Sequence, residues 1–198
     1  MTRATDILAQ RRKERIVPVL KTARLTLRAP RLRDAKAIAH FAGDRRVAEN
    51  TTSVRHPYTI DDAEEFVAAA NRQAADITFV ISLDDDVIGA CGIELRESAA
   101  EVGYWLGALY WGRGYATETA RAAIDYAFGD LGQAALQAGA RVSNPASRRV
   151  LEKCGFQWTG VRLCRIRAIK SAAPVDRFRL DRDLWASLKA WGRVREVA

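Results

Sequence analysis

The stretch Tyr110-Trp-Gly-Arg-Gly-Tyr-Ala-Thr-Glu118 decides how the rest of the chain is read. It sets two glycines one residue apart, after a strand-like run from Glu101 to Leu106 and before a helix-like run from Gly114 to Phe128. Glycine takes positive φ readily and carries no Cβ, so Gly112 and Gly114 let a ligand come close to the backbone. The helix behind them turns its unpaired first N–H groups and the positive end of its dipole toward an anion. A Gly-x-Gly turn also serves as an ordinary tight connection, so the stretch needs a companion. Two other phosphate loops are excluded. No Gly-x-x-x-x-Gly-Lys-Ser/Thr occurs, and a dinucleotide fingerprint requires glycine where Thr117 stands.

The companion is Asn144-Pro-Ala-Ser-Arg-Arg-Val-Leu-Glu-Lys-Cys-Gly-Phe156. It follows an alternating run in which Leu136, Ala138, Ala140 and Val142 share one face, as in a strand. Asn144 suits an N-cap, Pro145 the first helical position and Gly155 the stop. Together the two stretches resemble the GCN5-related N-acetyltransferase superfamily and, within it, the RimJ/RimL-type branch, over roughly Thr22 to Leu188. The superfamily loop Gln/Arg-x-x-Gly-x-Gly/Ala is matched in its last four places by Arg113, Gly114, Tyr115 and Ala116. Trp111 departs from its first place but is similar to the branch form Trp-Gly-x-Gly-Tyr-Ala-Thr-Glu. The Asn-x-x-Ser followed by Glu-Lys-x-Gly-Phe is similar to that branch too.

What the resemblance implies is specific. The fold is α/β (α+β): a mixed, mostly antiparallel central sheet of about six to seven strands, splayed beside the glycine loop, with helices on both faces. The acetyl donor is acetyl-CoA, and no metal is used. Its pyrophosphate is expected on the main chain of Arg113, Gly114, Tyr115 and Ala116, flanked by Gly112 and Thr117. Its pantetheine arm pairs with backbone at Trp105, Leu106 and Gly107, a form of strand addition. Asn144 orients a pantetheine amide, and the N–H of Leu106 meets the developing oxyanion.

Acetyl transfer needs a neutral amine, yet an α-amine titrates near 7.7–8.0 and lysine near 10.4 in model peptides, so a base or water chain helps. The resemblance points to Glu101 as that base, with Glu94, one strand earlier, or a water chain as substitutes. Many members place a Tyr on the penultimate helix to donate to the departing sulfur. Here that position is Leu151, and the branch resemblance gives the part to Ser147, an adequate donor. Tyr104 and Trp105 point to opposite faces of their strand; one walls the acceptor pocket and the other is core. Arg113 either pairs with a phosphate or faces solvent, and Lys153 reads as surface charge at a helix C-terminus.

The acceptor implied is a protein N-terminal amine, as of a ribosomal protein. Free amino acids, polyamines and antibiotic amines stay open, because loops such as Glu49 to Tyr58 vary freely on a shared scaffold. That loop carries Asn50, Thr51, Thr52, His56 and Tyr58 and no acidic cup. An acyl-CoA-binding regulator without turnover would keep the glycine loop but would not need Ser147 and Glu101.

The 198 residues, 48% of them hydrophobic, fit one domain over residues 22–198 behind a basic extension, 1–21. Of 32 basic and 24 acidic residues, ten basic ones and only Asp6 and Glu14 precede Asp34, so the whole excess of +8 falls there. Such an arm suits a ribosome or another acidic surface, or is a solvated tail; Ile7 and Leu8 with Arg11, Arg12 and Arg15 give it a partly helical pattern. Three cysteines without metal-ligand spacing, two histidines and no membrane-length apolar run fit a cytoplasmic monomer or homodimer. The remaining elements follow from period and punctuation. Strands are expected at 24–28, 78–83, 87–93, 156–166 and 175–180, helices from Asp34 to Phe41 and from Thr59 to about Arg72, and a closing amphipathic helix through Leu184, Trp185, Leu188 and Trp191.

Overall fold

A computed structural model describes residues 17–72 and 76–196, with the side chains of residues 192–196 left aside. The partly helical pattern around Ile7 to Arg15 lies outside the described residues. Leu20 and Lys21, counted above with the extension, pair with Leu27 and Thr26 and so belong to the sheet as a short first strand, β1 (Leu20–Lys21).

The chain then runs β2 (Leu25–Arg28), α1 (Ala35–Ala42), α2 (Arg45–Ala48), α3 (Ile60–Arg72), β3 (Ile77–Leu83), β4 (Asp86–Glu94), β5 (Ala100–Leu106), α4 (Tyr115–Gly129), β6 (Ala135–Arg141), α5 (Pro145–Lys153), β7 (Gln157–Ile166), β8 (Ser171–Asp181) and α6 (Arg182–Glu196). The described strands form one sheet in the order β1-β2-β3-β4-β5-β6-β8-β7. Its pairings are antiparallel except β5 with β6. The strand expected fourth is therefore β5, because β1 precedes it.

Local chemistry accounts for the elements. The β3–β4 hairpin closes through Asp84 and Asp85, both at positive φ (48° and 69°), which short polar side chains tolerate better than most. Helix α1 buries Ala35, Ile38 and Ala42, one face at helical spacing. Helix α2, which periodicity did not reveal, is a single turn started by the Asp44 carboxylate on the Arg46 N–H. At the end of α5, Gly155 takes φ 88°; its N–H bonds Glu152 O and that of Phe156 bonds Leu151 O, the paired bonds of a Schellman stop.

Strand alternation sends Ile77, Phe79 and Ile81 to one face, where they meet Ala120, Ala123, Ile124 and Ala127 of α4 and Leu151 of α5. Val80 and Val87 face the other side, against α1 and α3. Helices therefore cover both faces. Leu136, Ala138 and Ala140 are buried as their alternation requires, whereas Val142, past the end of β6, is 47% exposed. The closing helix docks through Trp185, with Leu188 beside Gly155 and Lys189 paired with Asp125. Trp185 lies on Phe128 and bonds Asp125, while Leu188 and Trp191 are exposed. No described helix is long and apolar enough to cross a membrane.

One buried ion pair ties β2 to α1. Arg28 forks onto the Asp34 carboxylate at 2.7 and 2.9 Å, and the Arg31 N–H adds a third bond at 2.7 Å. Burial pushes the Asp34 carboxyl up, but these donors outweigh it and hold the group below the usual range. The stabilisation is thus complete above the unfolded value near 3.9 and is lost as pH falls through the lower folded value. Asp34→Asn would leave Arg28 buried without its counter-charge, a loss of about 3–5 kcal/mol. Thermal melts should show that deficit at pH 7 and show it shrinking below about pH 4; a deficit independent of pH would contradict this account.

Candidate active site

The site begins where β5 and β6 stop pairing. Ala100 pairs with Leu136 and Glu101 with Gln137; beyond that the strands part, although β5 continues to Leu106 and β6 to Arg141. A cavity of about 690 Å³ occupies the opening. It is walled by β5 from Glu101 to Leu106, the segments Tyr110 to Gly112 and Gly114 to Thr117, Gly139 and Arg141 of β6, the cavity face of α5, and Asn50 to Ser53.

Parity of the β4–β5 ladder determines which backbone groups face the gap. Gly107 N–H bonds Ile88 O at 2.9 Å, and Leu106 stands opposite Gly89. In an antiparallel ladder alternate residues spend both groups on the partner strand. Trp105, like Gly107, therefore spends its backbone on β4, while Tyr104 and Leu106 present theirs to the gap. Of Trp105, Leu106 and Gly107, where strand addition was expected, only Leu106 turns its backbone groups to the gap, with Tyr104 beside it. The Leu106 carbonyl already accepts from Trp111 Nε1 at 2.8 Å, which leaves its N–H facing the cavity. Gly107 does not line the cavity: a Cβ there would lie 2.4 Å from the Phe41 ring, so its lack of a side chain serves packing.

The glycine loop has the conformation its residues allow. Gly112 sits at φ 76° and Gly114 at φ 80°, ψ −4°, the latter as N-cap of α4. The first bond of that helix runs from the Glu118 N–H to Gly114 O at 3.1 Å. Tyr115, Ala116 and Thr117 thus enter the helix ahead of it, and all three line the cavity with Gly112 and Gly114. Arg113 does not. Its carbonyl accepts from Arg24 NH1 at 3.0 Å and the residue is exposed. Arg24 also lies over the Tyr115 ring and pairs with Glu118, to which Thr22 donates at 2.6 Å. Burial pushes the Glu118 carboxyl up, but the bonds from Thr22 and Arg24 prevail and hold it low. This clasp fastens the β1–β2 turn to the base of the loop.

On the α5 side Asn144 caps the helix, its Oδ1 accepting the Ser147 N–H at 3.1 Å; its Nδ2 has no partner among the described residues. Ser147 Oγ lies 3.1 Å from the Tyr104 hydroxyl. Burial pushes the Tyr104 phenol far up despite that hydrogen bond, so it stays neutral and able to donate. Leu151, 1% exposed, packs in the core and cannot reach the gap. Ala146, Arg149, Val150 and Lys153 line the cavity at helical spacing, so Lys153 and Arg149 bring positive charge to it. That spacing was legible in the sequence, although Lys153 reads there only as surface charge.

Glu101 stands on the other face of β5, with Trp105. Its carboxylate takes Arg177 NH1 at 2.8 Å and Arg96 NH2 at 3.2 Å, and Arg96 also holds Glu94. Both Arg177 and Glu94 line the cavity. Trp105 packs against α1 and α3, so Tyr104 is the one that meets Ser147.

The residues present fit an extended anionic thioester: helix N–H groups and two cationic side chains at one end, strand edges along the opening, donors and a carboxylate beyond. The sequence is matched over residues 24–157 by the family model for the acetyltransferase (GNAT) domain. It is 32% identical over 151 residues to an uncharacterized N-acetyltransferase, p20, of Bacillus licheniformis, covering 72% of this chain and 84% of that one. Two solved structures share the fold. Mycobacterium smegmatis RimJ, in complex with CoA-disulfide, superposes with TM-score 0.75 at 21% identity, over 89% of this chain and 96% of that one. Vibrio cholerae spermidine N-acetyltransferase, in complex with CoA and spermine, gives 0.72 at 23%, over 83% and 99%. The chain belongs to the GNAT acetyltransferase family and is an acetyl-CoA-dependent N-acetyltransferase.

Gly114→Ala tests the loop. A side chain at φ 80° costs about 1–2 kcal/mol, and the new Cβ would stand 3.4 Å from Arg24 NH2. Calorimetry should show CoA binding weakened by about tenfold or more; unchanged affinity would mean that this loop does not hold the nucleotide.

Proposed function

We propose that the chain transfers acetyl from acetyl-CoA to the α-amine of a protein N-terminus, in the manner of the RimJ/RimL branch, by direct attack within a ternary complex. The observation that carries the reading is the parting of β5 and β6, with donors Ser147 and Tyr104 on one side of the opening and the carboxylate of Glu101 on the other. When bound, acetyl-CoA supplies an activated acetyl group and a thiol leaving group. The N–H groups of Gly114 to Thr117 at the start of α4 hold its diphosphate, Arg149 and Lys153 add counter-charge, and the Asn144 Nδ2 and the backbone of Tyr104 align the arm.

Glu101 accepts the proton of the attacking amine, directly or through water. Arg177 and Arg96 fix its position, and the further lone pairs of each carboxylate oxygen remain for that proton. The Leu106 N–H faces the carbonyl oxygen as charge develops on it. Ser147 donates to the departing sulfur. The neutral Tyr104 phenol donates to Ser147 Oγ, which directs the serine proton into the cavity. Burial pushes the Cys91 thiol up to about 12, so the one cysteine in the cavity wall supplies no thiolate near neutral pH. That supports direct transfer over a cysteinyl intermediate.

An α-amine is the easier acceptor to deprotonate, since its ordinary pKa lies well below that of lysine. The fold is shared with a spermidine acetyltransferase, so the acceptor must be read from the walls of the opening rather than from the scaffold. Thiol release from acetyl-CoA should accompany acetylation of N-terminal peptides. Tight CoA binding without release for any peptide or small amine would make the chain a non-catalytic binder; release with small amines alone would remove the protein acceptor. Ser147→Ala should lower kcat about a hundredfold with little change in CoA affinity. Tyr104→Phe should lower it about three- to tenfold, the worth of one neutral hydrogen bond. If neither variant loses kcat, these donors do not serve the leaving group.

A further inference from the structure

The face of the opening that carries Glu101 has a feature the transfer reaction does not require. Along β6, Gln137, Gly139 and Arg141 share that face, and along β8 so do Val175 and Arg177. Gly139 stands opposite Arg177 and Arg141 opposite Val175, so the two arginines are diagonal neighbours across the ladder. Gly139 makes the room: a Cβ there would lie 2.9 Å from Arg177 NH1.

The two guanidinium groups are in different states. Arg177 is spent on Glu101 at 2.8 Å and, weakly, on Gln137 at 3.5 Å. Arg141 makes one hydrogen bond, from NH1 to the carbonyl of Glu49 at 2.7 Å, and its Nε is buried without a partner. It has no carboxylate partner among the described residues. The nearby Glu49 carboxylate is hydrogen-bonded by Arg45 and feels the Arg141 charge without forming an ion pair with it. The acids in the cavity wall are engaged elsewhere: Asp76 on the Leu95 N–H, Glu94 on Arg96, Glu101 on Arg177. The facing wall, Asn50, Thr51, Thr52 and Ser53, is polar and uncharged. A partly buried guanidinium with one hydrogen bond and no carboxylate ion pair, lining a cavity whose carboxylates are taken, is a site for an anion at its remaining terminal N–H groups.

We infer that Arg141 binds a carboxylate of the acceptor, so that the enzyme selects amines with an acidic group close behind them. This rests on the acetyltransferase reading above. Two sources share that chemistry: the α-carboxylate of a free amino acid, and the side chain of an Asp or Glu near a peptide N-terminus. Arg141 lies four residues along β6 from Gln137, the partner of Glu101, or about 13 Å of strand. That separation of the two strand positions is longer than one extended residue, so the acidic side chain of a peptide is the occupant chosen, and the free amino acid is the alternative that the test distinguishes. A polyamine would bring its charge against Arg141.

The test measures thiol release by the full chain, with acetyl-CoA, for the amidated peptides Ser-Glu-Ala-Ala, Ser-Gln-Ala-Ala and Ser-Lys-Ala-Ala, for free serine against serine amide, and for spermidine. The glutamyl peptide should exceed the lysyl peptide in kcat/KM by at least about tenfold, mostly through KM, with the glutaminyl peptide between. Arg141→Gln should bring the glutamyl-to-lysyl ratio toward one and Arg141→Lys should retain part of it; calorimetry with CoA checks that both variants are folded. A preference only for serine over its amide would reassign the carboxylate to a free amino acid and overturn the peptide assignment. Equal rates for the three peptides, a lysyl or spermidine preference, or a glutamyl preference that survives Arg141→Gln would overturn the inference while leaving the transferase intact. Absence of release with every acceptor would overturn both.

Discussion

Among the described residues, two residue pairs of parallel ladder, Ala100 with Leu136 and Glu101 with Gln137, make up the whole backbone pairing between the two halves of this sheet, and the opening depends on their being so few. A fully paired β5–β6 ladder would satisfy every backbone group and leave no opening. Stopping it early leaves the Leu106 N–H and the backbone groups of Tyr104 aimed at a space that protein does not fill. Unpaired edge groups are ordinarily a liability. In the proposed function a ligand supplies the missing partners.

Such an opening needs support, since apolar strands would otherwise close on each other. On one side, Gly107 sits directly against Phe41, which packs the end of β5 onto α1. The Trp111 indole bonds the Leu106 carbonyl and turns the chain away from β6. On the other side β6 is held to β8 along its whole length, from Ala135 with Asp181 to Arg141 with Val175. The clasp of Arg24, Thr22 and Glu118 fixes the glycine loop from behind. The two banks are each held by separate contacts, and the gap lies between them.

Much of this was legible in the sequence because it is local. Alternation at Leu136, Ala138 and Ala140, the Asn144 cap and the Gly155 stop involve neighbours in the chain, and the structure has them where the pattern put them. What was not legible depends on pairing at long range. Backbone parity at Trp105 and Gly107 follows from the β4 register, which no residue of β5 encodes by itself. The meeting of Tyr104 with Ser147 joins a strand to a helix 43 positions away, and that of Glu101 with Arg177 spans 76. Leu151 is the instructive middle case. Its identity excluded a tyrosine donor at once, but only the fold reveals a phenol arriving from the neighbouring strand.

The division of labour across β5 follows from its pleat. Residues of one parity, Tyr104 and Leu106, look toward the α4 and α5 side, the side proposed above for the nucleotide; residues of the other parity, Glu101, Gly103 and Trp105, look toward α1, α3 and the loop from Asn50 to Ser53. The gap connects the two faces, so donor and acceptor can approach one reacting centre from opposite sides without sharing a wall. On the proposed assignment, substitutions on the face that carries Glu101 alter which amine is selected while the nucleotide side stays as it is. A glutamate anchored by arginines, a glycine that clears space and an arginine with an unpaired N–H all lie on that acceptor face. Specificity is therefore to be sought in Arg141 and its neighbours, not in the glycine loop that reveals the family.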